Sequence, residues 1–287
     1  MMKKRCYIEL PFILIGALLL LAGCRKVNSN QLNVIPDKAA TQVYSNLVTT
    51  VEQEEVKSML QRASISGIDP FFEWVNDYNY TMGEKAGLVE VWTPLSKMKY
   101  QTDVMSTAWE QMHPEELDAN CRLTAYLLME QLIQTNPLSD YGTYLMMDVD
   151  EIENNDRYMT IKDHLENYIA LFNQVSVADA KVDADYRNAF IKAWKERGVT
   201  FQTGDASLIS VVMNDSYDKV LFIGHTGVLI EEDGYLLFIE KIAPCMPYQA
   251  TRFANRNELA AVLLGRPEYT LGDEDFSTFL MENNRIL

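Results

Sequence analysis

The fold is decided by the stretch VLFIGHTGVLIEEDGYLLFIEKI, residues 220–242. It contains two apolar segments rich in β-branched and aromatic residues, 220–230 and 235–242, which are typical of strands. Between them lie Asp233 and Gly234, a dipeptide that favours a two-residue hairpin turn. The stretch therefore predicts an antiparallel hairpin in which Glu232 faces Tyr235.

This register brings two functional side chains onto one face of the hairpin. His225 falls opposite Ile242 and Glu240 opposite Gly227, so His225 and Glu240 are diagonal neighbours with backbones about 7–8 Å apart. A glutamate can span that gap and hold one imidazole nitrogen, which leaves the other nitrogen free to take a thiol proton. A four-residue loop keeps the two side chains together, whereas a three-residue loop separates them.

The rest of the chain predicts an α+β fold, with a helical N-terminal part packed on a small antiparallel sheet. Apolar residues recur at three- and four-residue spacing in five segments before residue 200, and two more follow the hairpin. The predicted helices are 53–60, 70–78, 114–134, 161–172, 186–197, 257–264 and 273–282, and 208–213 is a further predicted strand. No linker or repeat divides residues 40–287, which we interpret as a single α+β domain.

The N-terminus has the pattern of an export signal. A basic start is followed by the apolar segment 11–21, which is shorter than the roughly 20 residues of a membrane-spanning helix. Leu-Ala-Gly-Cys at 21–24 resembles the lipobox of bacterial lipoproteins. The resemblance implies a signal peptide at 1–23 and a diacylglyceryl group on Cys24. The segment that follows is polar and lacks periodicity, so we interpret 24–39 as a tether. It predicts a protein anchored at the extracytoplasmic face of the bacterial cell membrane, the alternative being an uncleaved signal anchor.

The charge of the chain excludes one class of partner. Asp and Glu number 41 against 25 Lys and Arg, a formal net charge of −16. Nucleic acid is therefore not expected as a partner, because it binds through cations that neutralise phosphates. An anionic membrane would also repel this chain, so we expect membrane attachment through lipidated Cys24.

Cys121 lies near the start of a predicted helix. If Asp118 is the N-cap, the thiol occupies the first turn, where unpaired amides and the helix dipole favour a thiolate. If the helix instead starts at Pro114, the thiol of Cys121 lies a turn further into the helix. Two other interpretations remain open for Cys121, a buried structural thiol and a disulfide with Cys245.

Papain-like hydrolases carry, in chain order, a nucleophile on a helix, a histidine on a strand and a carboxylate on the next strand. The candidate residues of this chain follow the same order. Asn-Cys-Arg at 120–122, Gly-His-Thr-Gly-Val at 224–228 and Phe-Ile-Glu-Lys at 238–241 resemble the NlpC-type and CHAP amidases and endopeptidases of bacterial cell walls. The resemblance implies a papain-like core that cuts amide bonds, with Cys121 as nucleophile, His225 as base and Glu240 orienting the imidazole. Asn120 stands where the NlpC branch usually has Asp. Asn120 and the amide of Cys121 are candidate oxyanion donors.

Other segments resemble a family of bacterial lipoproteins known only as a domain of unknown function. They are Tyr-Ser-Asn-Leu at 44–47, Trp-Val-Asn-Asp-Tyr-Asn at 74–79, Gly-Val-Leu-Ile at 227–230 and Pro-Tyr-Gln at 247–249. This second resemblance covers nearly the whole mature chain and implies no activity.

We expect no cofactor and no metal, because the His and Cys residues lack zinc-binding spacing and the acidic run 148–156 lacks the glycine of a calcium loop. The sequence thus predicts a lipid-anchored cysteine hydrolase or acyltransferase acting on amide bonds, with a cell-wall peptide as the expected substrate. The alternative is a non-catalytic binding or scaffold lipoprotein.

Overall fold

The computed structural model describes residues 41–269 and 276–287. The predicted signal peptide at 1–23, the predicted tether at 24–39 and Cys24 lie outside the described residues. Within the described ranges, no helix combines the length and the apolar character that crossing a membrane requires.

The described residues form nine α-helices, eight of which precede the large sheet strands. They are α1 (Thr50–Arg62), α2 (Ile68–Met82), α3 (Thr102–Met112), α4 (Cys121–Met129), α5 (Met146–Asn154), α6 (Met159–Lys162), α7 (Leu165–Phe172), α8 (Asp183–Glu196) and α9 (Arg256–Leu264).

The strands of the described residues are mostly concentrated in the second half of the chain. They are β1 (Val43–Ser45), β2 (Thr93–Pro94), β3 (Ile133–Gln134), β4 (Val175–Ser176), β5 (Thr200–Phe201), β6 (Ala206–Asp215), β7 (Val220–Glu232), β8 (Tyr235–Lys241), β9 (Tyr248–Phe253), β10 (Phe279–Glu282) and β11 (Arg285–Ile286). Nine of them make one antiparallel sheet in the order β11-β10-β6-β7-β8-β9-β1-β2, with β4 also paired to β7. The α+β class is therefore confirmed, and the sheet is wider than the three strands predicted.

The central hairpin β7–β8 has the predicted register. Glu232 pairs with Tyr235 across the two-residue turn, and the ladder continues to the pair Val228–Ile239. Gly234 takes a φ of 87°, a left-handed conformation that glycine adopts without strain. The β7–β8 ladder ends at the pair Val228–Ile239, before it reaches the positions of His225 and Glu240.

A β-bulge interrupts β7 just before His225. Val212 pairs with Ile223, whereas Val211 pairs with His225, so Gly224 is the extra residue. A Cβ at this position would lie 2.1 Å from Sδ of Met213, so a larger residue at the bulge would displace that side chain. The bulge turns His225 to the same face of the sheet as Val211.

The sheet is buried on both faces, which explains why its central strands are continuously apolar. One face packs on the helices that precede the sheet, through side chains such as Val228, Leu237 and Ile239. The other face packs on α9, through Leu229 and Phe238 among others. Residues from opposite faces alternate along β8, so Glu240 lies on the α9 face and Lys241 on the helical face.

Three predictions of local structure are wrong. The helix predicted at 114–134 begins only at Cys121, because Asn120 rather than Asp118 is the N-cap. It ends at Met129, and a 3-10 turn at Glu130–Leu132 leads into β3. The helix predicted at 273–282 is contradicted where the structure describes it, since Phe279–Glu282 is strand β10, paired with β6. The helix predicted at 161–172 is divided into α6 and α7.

Candidate functional site

The site begins at the first residue of α4. Cys121 directly follows the N-cap Asn120, whose Oδ1 accepts a hydrogen bond from the backbone N–H of Leu123 at 3.0 Å. The thiol therefore lies in the first turn, where amides without intrahelical partners and the helix dipole favour a negative charge. Cys121 is 7% exposed and is a free cysteine. It does not form the disulfide with Cys245 that the sequence left open.

The end of the β7–β8 ladder makes room for this thiol. Beyond Val228 the backbone of β7 has no ladder partner in β8. The backbone N–H of Thr226 instead donates a hydrogen bond to the sulfur of Cys121. The start of α4 is thus held against β7 at the residue that follows His225.

The thiol of Cys121 and the imidazole of His225 are hydrogen-bonded to each other. Burial opposes ionisation of both groups, but the interaction between them prevails. The pKa of Cys121 is lowered by the positive imidazole and, to a smaller extent, by Arg122. The pKa of His225 is raised by the thiolate and by Glu240. The lowered pKa of Cys121 and the raised pKa of His225 together favour a thiolate–imidazolium pair.

Glu240 holds the opposite side of the imidazole. His225 Nε2 donates to Glu240 Oε2 at 2.7 Å, and both side chains are almost wholly buried. Because Nε2 is bound to the carboxylate, Nδ1 is the nitrogen that faces the thiol. The structure therefore brings Cys121, His225 and Glu240 together in the predicted order.

Two further side chains of the site were not found from the sequence. Arg266 binds Glu240 with both ends of its guanidinium, Nη1 to Oε2 at 2.7 Å and Nη2 to Oε1 at 2.6 Å. Tyr269 stacks on the ring of His225, with ring centroids 5.3 Å apart. Although burial opposes it, Arg266 together with His225 lowers the pKa of Glu240 to about 2. The one sequence signal for Arg266 is indirect: a buried carboxylate needs a cation.

Asn120 serves mainly to orient the start of α4. Besides capping the helix, its Nδ2 donates to Asp148 Oδ1 at 2.7 Å. Asp148 also binds Arg122, with Nε to Oδ2 at 2.7 Å and Nη2 to Oδ1 at 2.9 Å, and accepts a hydrogen bond from the Tyr168 hydroxyl. These contacts fix the residues on both sides of Cys121. They leave the backbone N–H of Cys121, at the helix start, as the clearer candidate for an oxyanion donor.

A cleft of about 390 Å³ opens beside the thiol. Its lining is mostly apolar, and its charged members are three acidic side chains and Arg122. Among the lining residues are Cys121, Leu117, Met147, Ile242, Asp118 and Asp148. The cleft is therefore the candidate substrate site next to Cys121.

A buried ion pair lies next to this cleft. Lys241 Nζ is 2.5 Å from Asp118 Oδ2, and neither side chain is exposed. The ammonium also lies over the rings of Tyr78 and Tyr248, at 3.6 Å and 4.2 Å from their centroids. Asp118, one of the two helix starts considered from the sequence, is thus not the helix cap, but it ties the segment before Cys121 to β8.

In residues 41–269 and 276–287, no group of three or more His, Cys, Asp or Glu side chains could hold a metal ion. His113 and His164 lie away from Cys121; His113 stacks on Trp109, and His164 is paired with Glu130.

Comparison with known proteins gives a family without an activity. The family described as "Domain of unknown function (DUF4300)" matches residues 43–287, and the chain belongs to it. No curated protein and no solved structure matches the chain.

Proposed function

We propose that this member of the DUF4300 family is a cysteine hydrolase or acyltransferase of the papain-like kind, acting on amide bonds. The observation that carries the proposal is the continuous contact from the Cys121 thiol through the His225 imidazole to the Glu240 carboxylate. A buried imidazole held by a carboxylate and bound to a thiol at a helix N-terminus is the arrangement that activates a cysteine nucleophile.

The reaction follows from this geometry. The Cys121 thiolate attacks the amide carbonyl carbon, and the developing oxyanion is stabilised by the N–H at the start of α4. The His225 imidazolium then gives its proton to the leaving nitrogen, the C–N bond breaks and a thioester remains. A water molecule or a second amine, deprotonated by His225, attacks the thioester and regenerates the thiol. Glu240 keeps the imidazole in one tautomer throughout.

The substrate class rests on location and on the cleft. The proposed location outside the cytoplasm, at the membrane surface, is supported by the export-signal pattern and by the lipobox-like Leu-Ala-Gly-Cys at 21–24. Amide bonds in cell-wall peptides are then the accessible substrates, and they are also those that the NlpC-type and CHAP resemblance implies. The cleft beside Cys121 has room for an extended peptide of a few residues.

One observation favours the alternative, a non-catalytic binding or scaffold lipoprotein. His225 is 1% exposed, and Tyr269 covers one face of its ring. A histidine so enclosed could serve packing alone. The two functions differ in whether the reaction depends on the sulfur.

The test is hydrolysis of purified cell-wall peptide fragments by the full chain and by three variants. We expect Cys121→Ser and His225→Ala to lower the rate by at least about 100-fold, as the loss of a nucleophile or a general base does. His164→Ala is the matched control, because His164 is half exposed and is paired with a carboxylate elsewhere; it should retain the wild-type rate. Equal rates for Cys121→Ser and the wild type would refute the enzymatic proposal.

A further inference from the structure

Arg266 is joined to the candidate site by the strongest type of side-chain contact. Its two hydrogen bonds to Glu240 form a parallel bidentate pair, with distances of 2.7 Å and 2.6 Å. Nη1 also donates to the hydroxyl of Tyr269 at 3.3 Å, and that ring stacks on His225. The guanidinium side chain is only 13% exposed. Arg266 therefore fixes both the carboxylate and the ring that enclose the imidazole.

Glu240 has more acceptor contacts than a residue that only orients a histidine needs. Oε2 accepts from His225 and Arg266, and Oε1 accepts from Arg266 and, at 3.5 Å, from Gln249. A fully buried carboxylate stays ionised only when such partners replace its water shell. Arg266 supplies half of these contacts and all of the formal charge that does not titrate at neutral pH.

The charge balance of the site depends on this guanidinium. When Cys121 is a thiolate and His225 an imidazolium, the carboxylate of Glu240 leaves a net charge of −1 in a buried volume. Arg266 brings the four groups to neutrality. Without it, the imidazolium would have to balance both the carboxylate and the thiolate, and the thiol would hold its proton more tightly.

The neighbouring charges do not take over this role, because they are paired among themselves. Arg122 is bound to Asp148, and Lys241 to Asp118. The charged and titratable groups near the four side chains are Tyr269, Arg122, Asp148, Tyr168, Tyr100, Asp118 and Lys241.

We propose that Arg266 is a positioning residue of the site, which supplies the positive charge that keeps Glu240 ionised and so permits the thiolate–imidazolium pair of Cys121 and His225. The role rests on the proposed function, but it can be measured without a substrate. The readout is the rate at which iodoacetamide alkylates Cys121 as a function of pH, followed by peptide mass spectrometry on the purified full chain.

Three variants separate charge from packing. Arg266→Gln retains a donor for Glu240 but removes the charge, and we expect the midpoint of the alkylation profile to rise by about one pH unit, which is a tenfold lower reactivity below the midpoint. Arg266→Lys keeps the charge and should retain the wild-type midpoint. Arg62→Gln is the control, since Arg62 also binds a glutamate of the hairpin, with Nη2 at 2.8 Å from both carboxylate oxygens of Glu232, but at an exposed position.

The outcomes are distinct. Coincident profiles for Arg266→Gln and the wild type overturn the role of Arg266, whether or not the protein is an enzyme. If Arg266→Gln does not fold, Arg266→Lys decides, because a rise of one unit in that charge-conserving variant contradicts the proposal. A shifted Arg266→Gln profile in a protein that hydrolyses nothing would refute the proposed function and leave the electrostatic role of Arg266 standing.

Discussion

Substitution of Lys241 by Met tests the buried ion pair that supports the start of α4. Lys241 and Asp118 are both completely buried, with Nζ 2.5 Å from Oδ2. Burial lowers the pKa of the lysine to about 8 and raises that of the aspartate, so each charge depends on the other. Removing one partner of such a pair costs about 3–5 kcal/mol, because the remaining charge is left buried and uncompensated. The methionine side chain fills the space between the two tyrosine rings without restoring the charge.

The assay is urea denaturation at pH 7, followed by tryptophan fluorescence. A loss of about 3–5 kcal/mol in the free energy of unfolding corresponds to a fall in Tm of roughly 10 °C for a chain of this size. Adding Asp118→Asn removes the unpaired charge while keeping an acceptor for the backbone N–H of Cys245, which donates to Asp118 at 2.9 Å. We therefore expect the double variant to recover most of the loss.

Lys57→Met is the control, because Lys57 and Asp69 form a pair at 2.8 Å whose side chains are exposed by 32% and 79%. Its stability should equal that of the wild type within error. The reasoning is refuted if Lys241→Met costs less than about 1 kcal/mol, or if Asp118→Asn deepens the loss instead of reversing it.

Three more predictions concern the site and the hairpin. His225→Ala should raise the alkylation midpoint of Cys121 by at least about one pH unit, because only the weaker effects of Arg122 and the Thr226 N–H then oppose burial of the thiol; an unchanged midpoint would contradict the pairing. Glu240 has a folded-state pKa of about 2, below its ordinary 4.5. The stabilisation by ionised Glu240 is present above pH 4.5 and is lost as pH falls through 2. Between these two pH values the wild type should lose about 3 kcal/mol of unfolding free energy that Glu240→Gln does not lose. Parallel acid titrations of the two proteins would count against this prediction. Gly227→Ala should cost about 1–3 kcal/mol in urea denaturation, because its Cβ would lie 2.6 Å from the carbonyl oxygen of Ile239, whereas Gly204→Ala meets no atom within 4 Å and serves as control; equal costs for the two would contradict this packing.

The hairpin was predictable because its information is local. Asp233 and Gly234 fix the turn, the turn fixes the register, and the register brings His225 and Glu240 to one face. Their contact follows from pairs that are close in sequence. The α+β class follows from the change of hydrophobic period between the two halves of the chain.

The failures of prediction have a common physical cause, which is tertiary context. The end of the chain has a pattern compatible with a helix, yet Phe279–Glu282 pairs with β6, because an open edge of the sheet offers backbone partners there. Asn120 is the N-cap of α4, whereas the carboxylate of Asp118 is paired with Lys241 from a distant strand. Arg266 could not be found because nothing near it in sequence indicates the buried carboxylate that it neutralises.

The position of this guanidinium just after α9 has a consequence for local stability. Arg266 and Tyr269 reach Glu240 and His225 from the segment that follows α9, and α9 is packed on the sheet. The counterion of Glu240 is therefore supplied by a tertiary contact outside the hairpin. Opening of α9 alone would separate the carboxylate from its cation while β7 and β8 stay paired.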